Sequence, residues 1–106
     1  MLIKNVKGSS KISPNPPSGY RSWLNYWELN FGQILEVGKQ YECPACHNYF
    51  YRSNFDGCHV QKVGYIDNKW YIIPLCDSCN HRIDNPEVDD NLLIDVPSNL
   101  NVTHLL

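Results

Sequence analysis

Two Cys-x-x-Cys motifs constrain this chain more than any other feature of its sequence. They are Cys43-Pro-Ala-Cys46 and Cys76-Asp-Ser-Cys79, and 29 residues separate them. Two residues between cysteines allow one tight turn to aim both sulfurs at the same point, and two such turns complete a tetrahedron of thiolates. A set of four protein ligands leaves no coordination position open for a substrate, which is typical of structural zinc. The spacing therefore predicts a domain that folds around one Zn²⁺ ion.

Other interpretations of the cysteines stay open. A redox role for one pair is an alternative, although the βαβ context of such motifs is not evident in this sequence. A tetrahedron of four thiolates also accepts iron. The total of five cysteines is odd, which fits four ligands and one spare thiol better than a set of disulfides. We interpret the spare thiol, Cys58, as a small apolar core residue, with a replacement ligand or a reactive thiol as alternatives.

Length and composition predict one domain with two flanking segments. The chain has 106 residues, which is the size of a single domain. Residues 1–18 are rich in Ser, Pro and Gly and are expected to form an extended arm with one strand at residues 2–6; residues 19–97 form the zinc-binding domain, and residues 98–106 are a tail. The chain has no apolar run of ~20 residues that could cross a membrane and no apparent secretory signal, so we expect a cytoplasmic protein.

An aromatic stripe predicts one helix near the start of the domain. The stripe consists of Trp23, Trp27 and Phe31, spaced by four residues. Ser18 or Ser22 can cap the helix at its start, and Gly32 can end it in a left-handed conformation. The stripe is expected to pack over the core, with a partner-binding patch as the alternative.

The remaining patterns predict strands and one short second helix. Alternating or apolar runs favour strands leading into the first cysteine pair and at residues 49–53, 58–66, 68–75 and 91–97. Asp67 and Asn68 mark a hairpin turn, and residues 77–83 a short helix. The predicted fold class is therefore α+β.

Residues 43 to about 83 resemble the treble clef of HNH endonucleases, in particular the small proteins of this type from bacteria and phages. The resemblance is carried by the two cysteine pairs and by the runs DGCHV and PLCDSCNHR. It implies a ββα-metal unit built from a zinc turn, a β-hairpin and a helix, with the aromatic helix packed on it. It also implies that His59 is a general base that activates water. Asn80 would help to hold a catalytic Mg²⁺ or Mn²⁺ beside the scissile phosphate of DNA.

Two positions depart from the pattern of that family. Cys58 stands where an acidic residue or second ligand usually precedes the histidine, and Tyr71 stands where a middle Asn is expected. His59 and Asn80 alone offer a hard cation few ligands, so we expect a catalytically degenerate unit. His59 itself has four open interpretations: a buried hydrogen-bonded support, a catalytic group, a zinc ligand and a contact to a partner.

Two classes of function follow from the sequence. The first is a zinc-stabilised module that binds a protein or nucleic acid, for example a phage or mobile-element protein that acts against a host defence or nucleic-acid enzyme. The second is an active DNA endonuclease or nickase that uses His59 as its base. The net charge of −2 does not indicate a strong phosphate-binding surface. From Asp84 onward the chain has five acids and no Lys or Arg, which favours a basic partner.

Overall fold

The chain folds into two antiparallel sheets and two helices, as described by a computed structural model for residues 1–6, 15–66 and 68–97. The strands are β1 (Ile3–Asn5), β2 (Gln40–Glu42), β3 (Tyr49–Tyr51), β4 (Phe55–Lys62), β5 (Tyr71–Cys76) and β6 (Ile94–Asp95). The larger sheet has the order β1-β4-β5-β6, and β2 and β3 form the smaller one. The helices are α1 (Trp23–Phe31) and α2 (Asp77–Asn80), and short 3₁₀ turns cover Arg52–Asn54 and Asp90–Leu92. The α+β prediction is confirmed.

Helix α1 begins and ends where its capping residues predict. The hydroxyl of Ser22 accepts a hydrogen bond of 3.0 Å from the backbone N–H of Asn25. At the other end, Gly32 has φ 89°, and its N–H donates to the carbonyl of Glu28. Both caps satisfy backbone groups that a helix terminus leaves without partners.

The aromatic face of α1 packs on the larger sheet, as predicted. The buried cluster at this contact contains Trp23, Tyr26, Trp27, Trp70, Ile72 and Val96. A Cβ atom at Gly57 would lie 2.4 Å from the backbone of both Trp23 and Leu24, so only glycine fits there. Trp27 Nε1 also donates to the carbonyl of Leu92 at 2.7 Å. The helix is therefore fixed at short distance over β4.

A buried carboxylate ties α1 to the segments that flank the smaller sheet. Glu28 is 1% exposed, and its carboxylate accepts two hydrogen bonds from Arg52, of 2.9 and 3.2 Å. It accepts a third, of 2.7 Å, from the backbone N–H of Leu35. Burial acts to raise the pKa of Glu28, but the hydrogen bonds from Arg52 and Leu35 outweigh it and hold the pKa below its usual range. The pair thus stays ionised and fixes the segment that follows β3.

Several boundaries differ from the sequence-based expectation. The strand expected within the arm is β1, which pairs with β4 over Ile3–Asn5 and so belongs to the main sheet. The run at residues 91–97 contributes only β6, because a 3₁₀ turn takes its first residues. Asn68 has φ 57°, as a tight turn requires, whereas residue 67 and the predicted tail at 98–106 lie outside the described residues. Within the described ranges, neither helix is long and apolar enough to cross a membrane.

Candidate metal centre

The four cysteines of the two motifs converge on one point. Their sulfur atoms all lie within 4.8 Å of one another, and no disulfide joins them. The sulfurs of Cys46 and Cys76 are 3.8 Å apart. A tetrahedral ion with bonds of about 2.3 Å to sulfur places its ligands ~3.8 Å from each other. The arrangement therefore fits one tetrahedral metal ion.

The first pair lies in the turn between β2 and β3. The N–H of Cys43 donates to the carbonyl of Asn48 at 2.8 Å, and the N–H of His47 donates to the carbonyl of Cys43 at 2.9 Å. His47 has φ 66°, a left-handed conformation that few non-glycine residues adopt. This closed turn brings Cys46 back towards Cys43. His47 contributes its backbone conformation and its N–H to the turn and is not one of the clustered ligands.

The second pair lies where β5 runs into α2. Cys76 is the last residue of β5, whose six residues are all buried, and Cys79 lies in the single turn of α2. Asn5 of β1 donates from its side-chain amide to the carbonyl of Cys79 at 3.3 Å and to that of Arg82 at 3.0 Å. The sheet therefore positions this half of the site from two strands.

Burial makes the uncharged forms of these thiols favourable unless a cation lies among them. Cys43, Cys76 and Cys79 are at most 2% exposed, whereas Cys46 is partly exposed. Burial is the main cause that raises the pKa of Cys79 to about 12. For Cys43 burial acts in the same direction, but hydrogen bonds from the backbone N–H groups of Cys46, Cys76 and Ala45 outweigh it and lower the pKa of the thiol. A divalent ion at the centre would deprotonate its ligands and offset the cost of burying them.

His59 is buried away from this cluster. It is 8% exposed, and its ring lies edge-on to Trp23 and Trp70, with centroids 4.6 and 5.7 Å away. Its Nε2 atom has no hydrogen-bond partner among the described residues. Burial lowers the pKa of His59 to about 4. His59 is therefore a neutral residue in the contact between α1 and the sheet, and it is not one of the clustered metal ligands.

The structure does not bring His59 and Asn80 together. Asn80 ends α2, and its side-chain amide donates to a carboxylate oxygen of Asp56 at 3.3 Å. Successive side chains of a strand point to opposite faces, and Asp56 and His59 are three positions apart on β4. Asn80 thus lies on the face of β4 opposite to His59. In this structure His59 and Asn80, the two residues that the resemblance implies for catalysis, therefore lie on opposite faces of the strand.

Cys58 is a core residue, as expected. It is 3% exposed and packs in the cluster that contains Ile73 and Leu75. Its thiol donates to the carbonyl of Asp56 at 3.4 Å, and burial raises its pKa far above the usual value. It is not a member of the four-cysteine group.

The acidic segment expected to meet a basic partner keeps its five acidic residues exposed, and three of them have contacts within the chain. Asp84 pairs with Arg82, and Asp90 pairs with Lys62 at 3.1 Å. Asp89 caps the 3₁₀ turn of Asp90–Leu92 by accepting from a backbone N–H. The pairs at Asp84 and Asp89 are local, and the ion pair between Lys62 and Asp90 is the one of the three that joins residues distant in sequence.

A groove beside the second cysteine pair is the feature that the sequence did not indicate. It has a volume of about 610 Å³ and lies between β1 and the segment that follows α2. It is lined by Lys4, Asn5, Val6, Gln61, Asn80, His81, Arg82, Ile83 and Asn85. None of these lining residues is acidic, and Ile83 is 91% exposed. The groove arises because β1 brings Lys4 next to residues almost eighty positions later.

Comparison with protein-family models, with curated proteins and with solved structures found no match to this chain.

Proposed function

We propose that the chain is a zinc-stabilised, HNH-like treble clef that binds a macromolecular partner and does not cut nucleic acid. The order of elements supports this fold. The turn between β2 and β3 supplies Cys43 and Cys46, a β4–β5 hairpin follows, and the start of a helix supplies Cys76 and Cys79. The thiolate set favours zinc over harder cations. In this role the ion stabilises the fold, because four protein ligands complete its tetrahedron.

The burial of His59 is the observation that carries the non-catalytic assignment. A general base must lie within hydrogen-bond reach of the water it activates. His59 is covered by Trp23 and Trp70, and its pKa of about 4 makes it a weak base at neutral pH. Asn80, the second residue implied by the resemblance, faces Asp56 instead. The parts of a nuclease site are therefore separated by the strand that holds them.

The groove beside α2 is the surface that we assign to the partner. It combines the cation of Lys4, the side-chain amides of Asn80 and Gln61, and the exposed side chain of Ile83. Its lining residues include no carboxylate, although the chain has a net charge of −2. Such a mixture of donors and apolar surface suits a protein or nucleic-acid partner.

The assay that tests the proposal is cleavage of supercoiled plasmid with Mg²⁺ or Mn²⁺. We expect no nicking by the wild type, by His59→Gln or by the control Lys39→Gln, which changes an exposed residue outside the groove. Nicking by the wild type that His59→Gln abolishes and Lys39→Gln retains would establish the endonuclease instead. Zinc is measured on the same samples, with one ion per chain expected.

Partner binding is tested by capture. A photo-crosslinking residue at Ile83 should trap the partner from a host extract, and one at Val37, which is 92% exposed and lies outside the groove, serves as the matched control. Equal capture at both positions would remove the groove from the proposal. The action against a host defence or nucleic-acid enzyme stays a prediction, and identification of the captured partner would test it.

A further inference from the structure

A guanidinium group lies against one sulfur of the cysteine cluster. Arg82 points Nη1 at the sulfur of Cys79, at a distance of 3.9 Å. Its Nε donates to Asp84 Oδ1 at 2.7 Å, and its Nη2 donates to the other oxygen of the same carboxylate. The carboxylate occupies one edge of the planar group, which leaves Nη1 free to face the sulfur.

A second contact fixes the backbone on which this pair stands. The side-chain amide of Asn5 donates both to the carbonyl of Cys79 and to that of Arg82, at 3.3 and 3.0 Å. Asn5 lies in β1, which is paired with β4 in the main sheet. The sulfur and the arginine that faces it are therefore held in register by one residue from a distant part of the chain.

This arrangement suits the charge of a tetrathiolate centre. Four thiolates around a divalent ion carry two negative charges in excess, and hydrogen bonds to sulfur draw electron density from it. Arginine is always protonated, so Arg82 offsets part of this charge at any pH at which the protein is folded. Cys79 is 2% exposed and the side chain of Arg82 is 32% exposed, so solvent reaches the guanidinium side of the contact and screens part of the interaction.

We propose that Arg82, oriented by Asp84 and Asn5, is a positioning residue that protects the Cys79 thiolate and keeps the metal in the second half of the site. The inference rests on the zinc centre of the proposed function. It predicts an order of reactivity among the ligands. In the wild type the partly exposed Cys46 is the ligand that an alkylating reagent modifies first. Without the arginine contact, Cys79 should be modified before Cys46.

The test compares Arg82→Gln, Arg82→Lys and Asp84→Asn with Arg21→Gln, which removes an exposed arginine outside the groove and the cysteine cluster. Zinc content is measured first, and then the rate of zinc transfer to a chromogenic chelator. Contacts of this kind typically change metal affinity by about 10- to 100-fold. We expect Arg82→Gln to release zinc at least about 10-fold faster than Arg21→Gln. Arg82→Lys keeps the charge but cannot hold both the carboxylate and the sulfur, so it should also release zinc faster.

Two further readouts separate this role from a merely structural one. Substitution of Co²⁺ for zinc should give a sulfur-to-cobalt charge-transfer band that shifts in Arg82→Gln and Asp84→Asn and not in Arg21→Gln. Mass spectrometry of partly alkylated protein should find Cys79 modified before Cys46 in Arg82→Gln. A metal-loaded Arg82→Gln protein with the wild-type band, release rate and order of alkylation would overturn the inference alone. Protein that purifies folded and without metal would overturn the zinc centre and the inference together.

Discussion

Acid should weaken the contact between α1 and the sheet through His59. The ordinary pKa of a histidine is 6.5, and burial between Trp23 and Trp70 lowers that of His59 to about 4. Between these two values the unfolded chain binds a proton that the folded chain excludes. Folding stability is therefore complete above the unfolded pKa and is lost as the pH falls towards 4.

The size of the effect follows from the same two values. One pKa unit corresponds to about 1.4 kcal/mol, so the full loss is about 3 kcal/mol, and about 1.4 kcal/mol is already lost at pH 5.5. Domains are stable by only about 5–15 kcal/mol, so the full term is a large part of the total.

Urea unfolding followed by far-ultraviolet circular dichroism measures the effect between pH 7.5 and 5.5, with excess Zn²⁺ present to keep the metal centre loaded. His59→Leu removes the titrating ring and should lose about 1.4 kcal/mol less than the wild type over this interval. His81→Gln removes an exposed histidine and should behave like the wild type. Equal losses in the wild type and in His59→Leu would refute the reasoning.

Four further outcomes are expected from unfolding measurements. Removal of metal by a strong chelator should abolish near-ultraviolet circular dichroism, because binding energy at such a centre is folding energy; a retained spectrum would contradict the structural role. Gly57→Ala should destabilise the domain by about 1–3 kcal/mol in urea, since the new methyl group meets the backbone at 2.4 Å, and an unchanged midpoint would contradict the close contact. Glu28→Gln should cost about 1–3 kcal/mol because it weakens the charged hydrogen bonds from Arg52 to a buried acceptor, with Arg52→Ala expected to add little once Glu28 is replaced. His47→Gly should raise the free energy of unfolding by up to about 1 kcal/mol by relieving φ 66°, and a lower value would indicate that the side chain matters more than the turn.

Features that depend on neighbouring residues along the chain could be predicted from the sequence. The convergence of the cysteine pairs follows from the geometry of two short turns, and the position of α1 follows from its aromatic spacing and its caps at Ser22 and Gly32. The core position of Cys58 was likewise expected from its apolar character. These features need only local information or the requirement that four sulfurs share one ion.

The remaining features depend on which distant elements meet. Alternation along β4 separates Asp56 from His59, but only the position of α2 decides that Asn80 meets the former. The groove forms because β1 lies beside the residues that follow α2. The sequence around Lys4 contains no pattern that predicts this contact. Similarly, Asp90 meets Lys62 through tertiary packing, whereas Asp84 pairs with its near neighbour Arg82.

The pairing of β1 with β4 has a consequence for synthesis on the ribosome. Ile3 pairs with Lys62, which follows it by 59 residues. At about 5–20 residues per second, β1 waits roughly 3–12 s for its partner strand to be made. Cys43 and Cys46 likewise emerge before Cys76 and Cys79, so a nascent chain exposes a two-thiolate half-site first. An ion bound at this stage would gain its last two ligands only when the end of β5 leaves the ribosome. Completion of the metal centre would therefore be a late step in the folding of the domain.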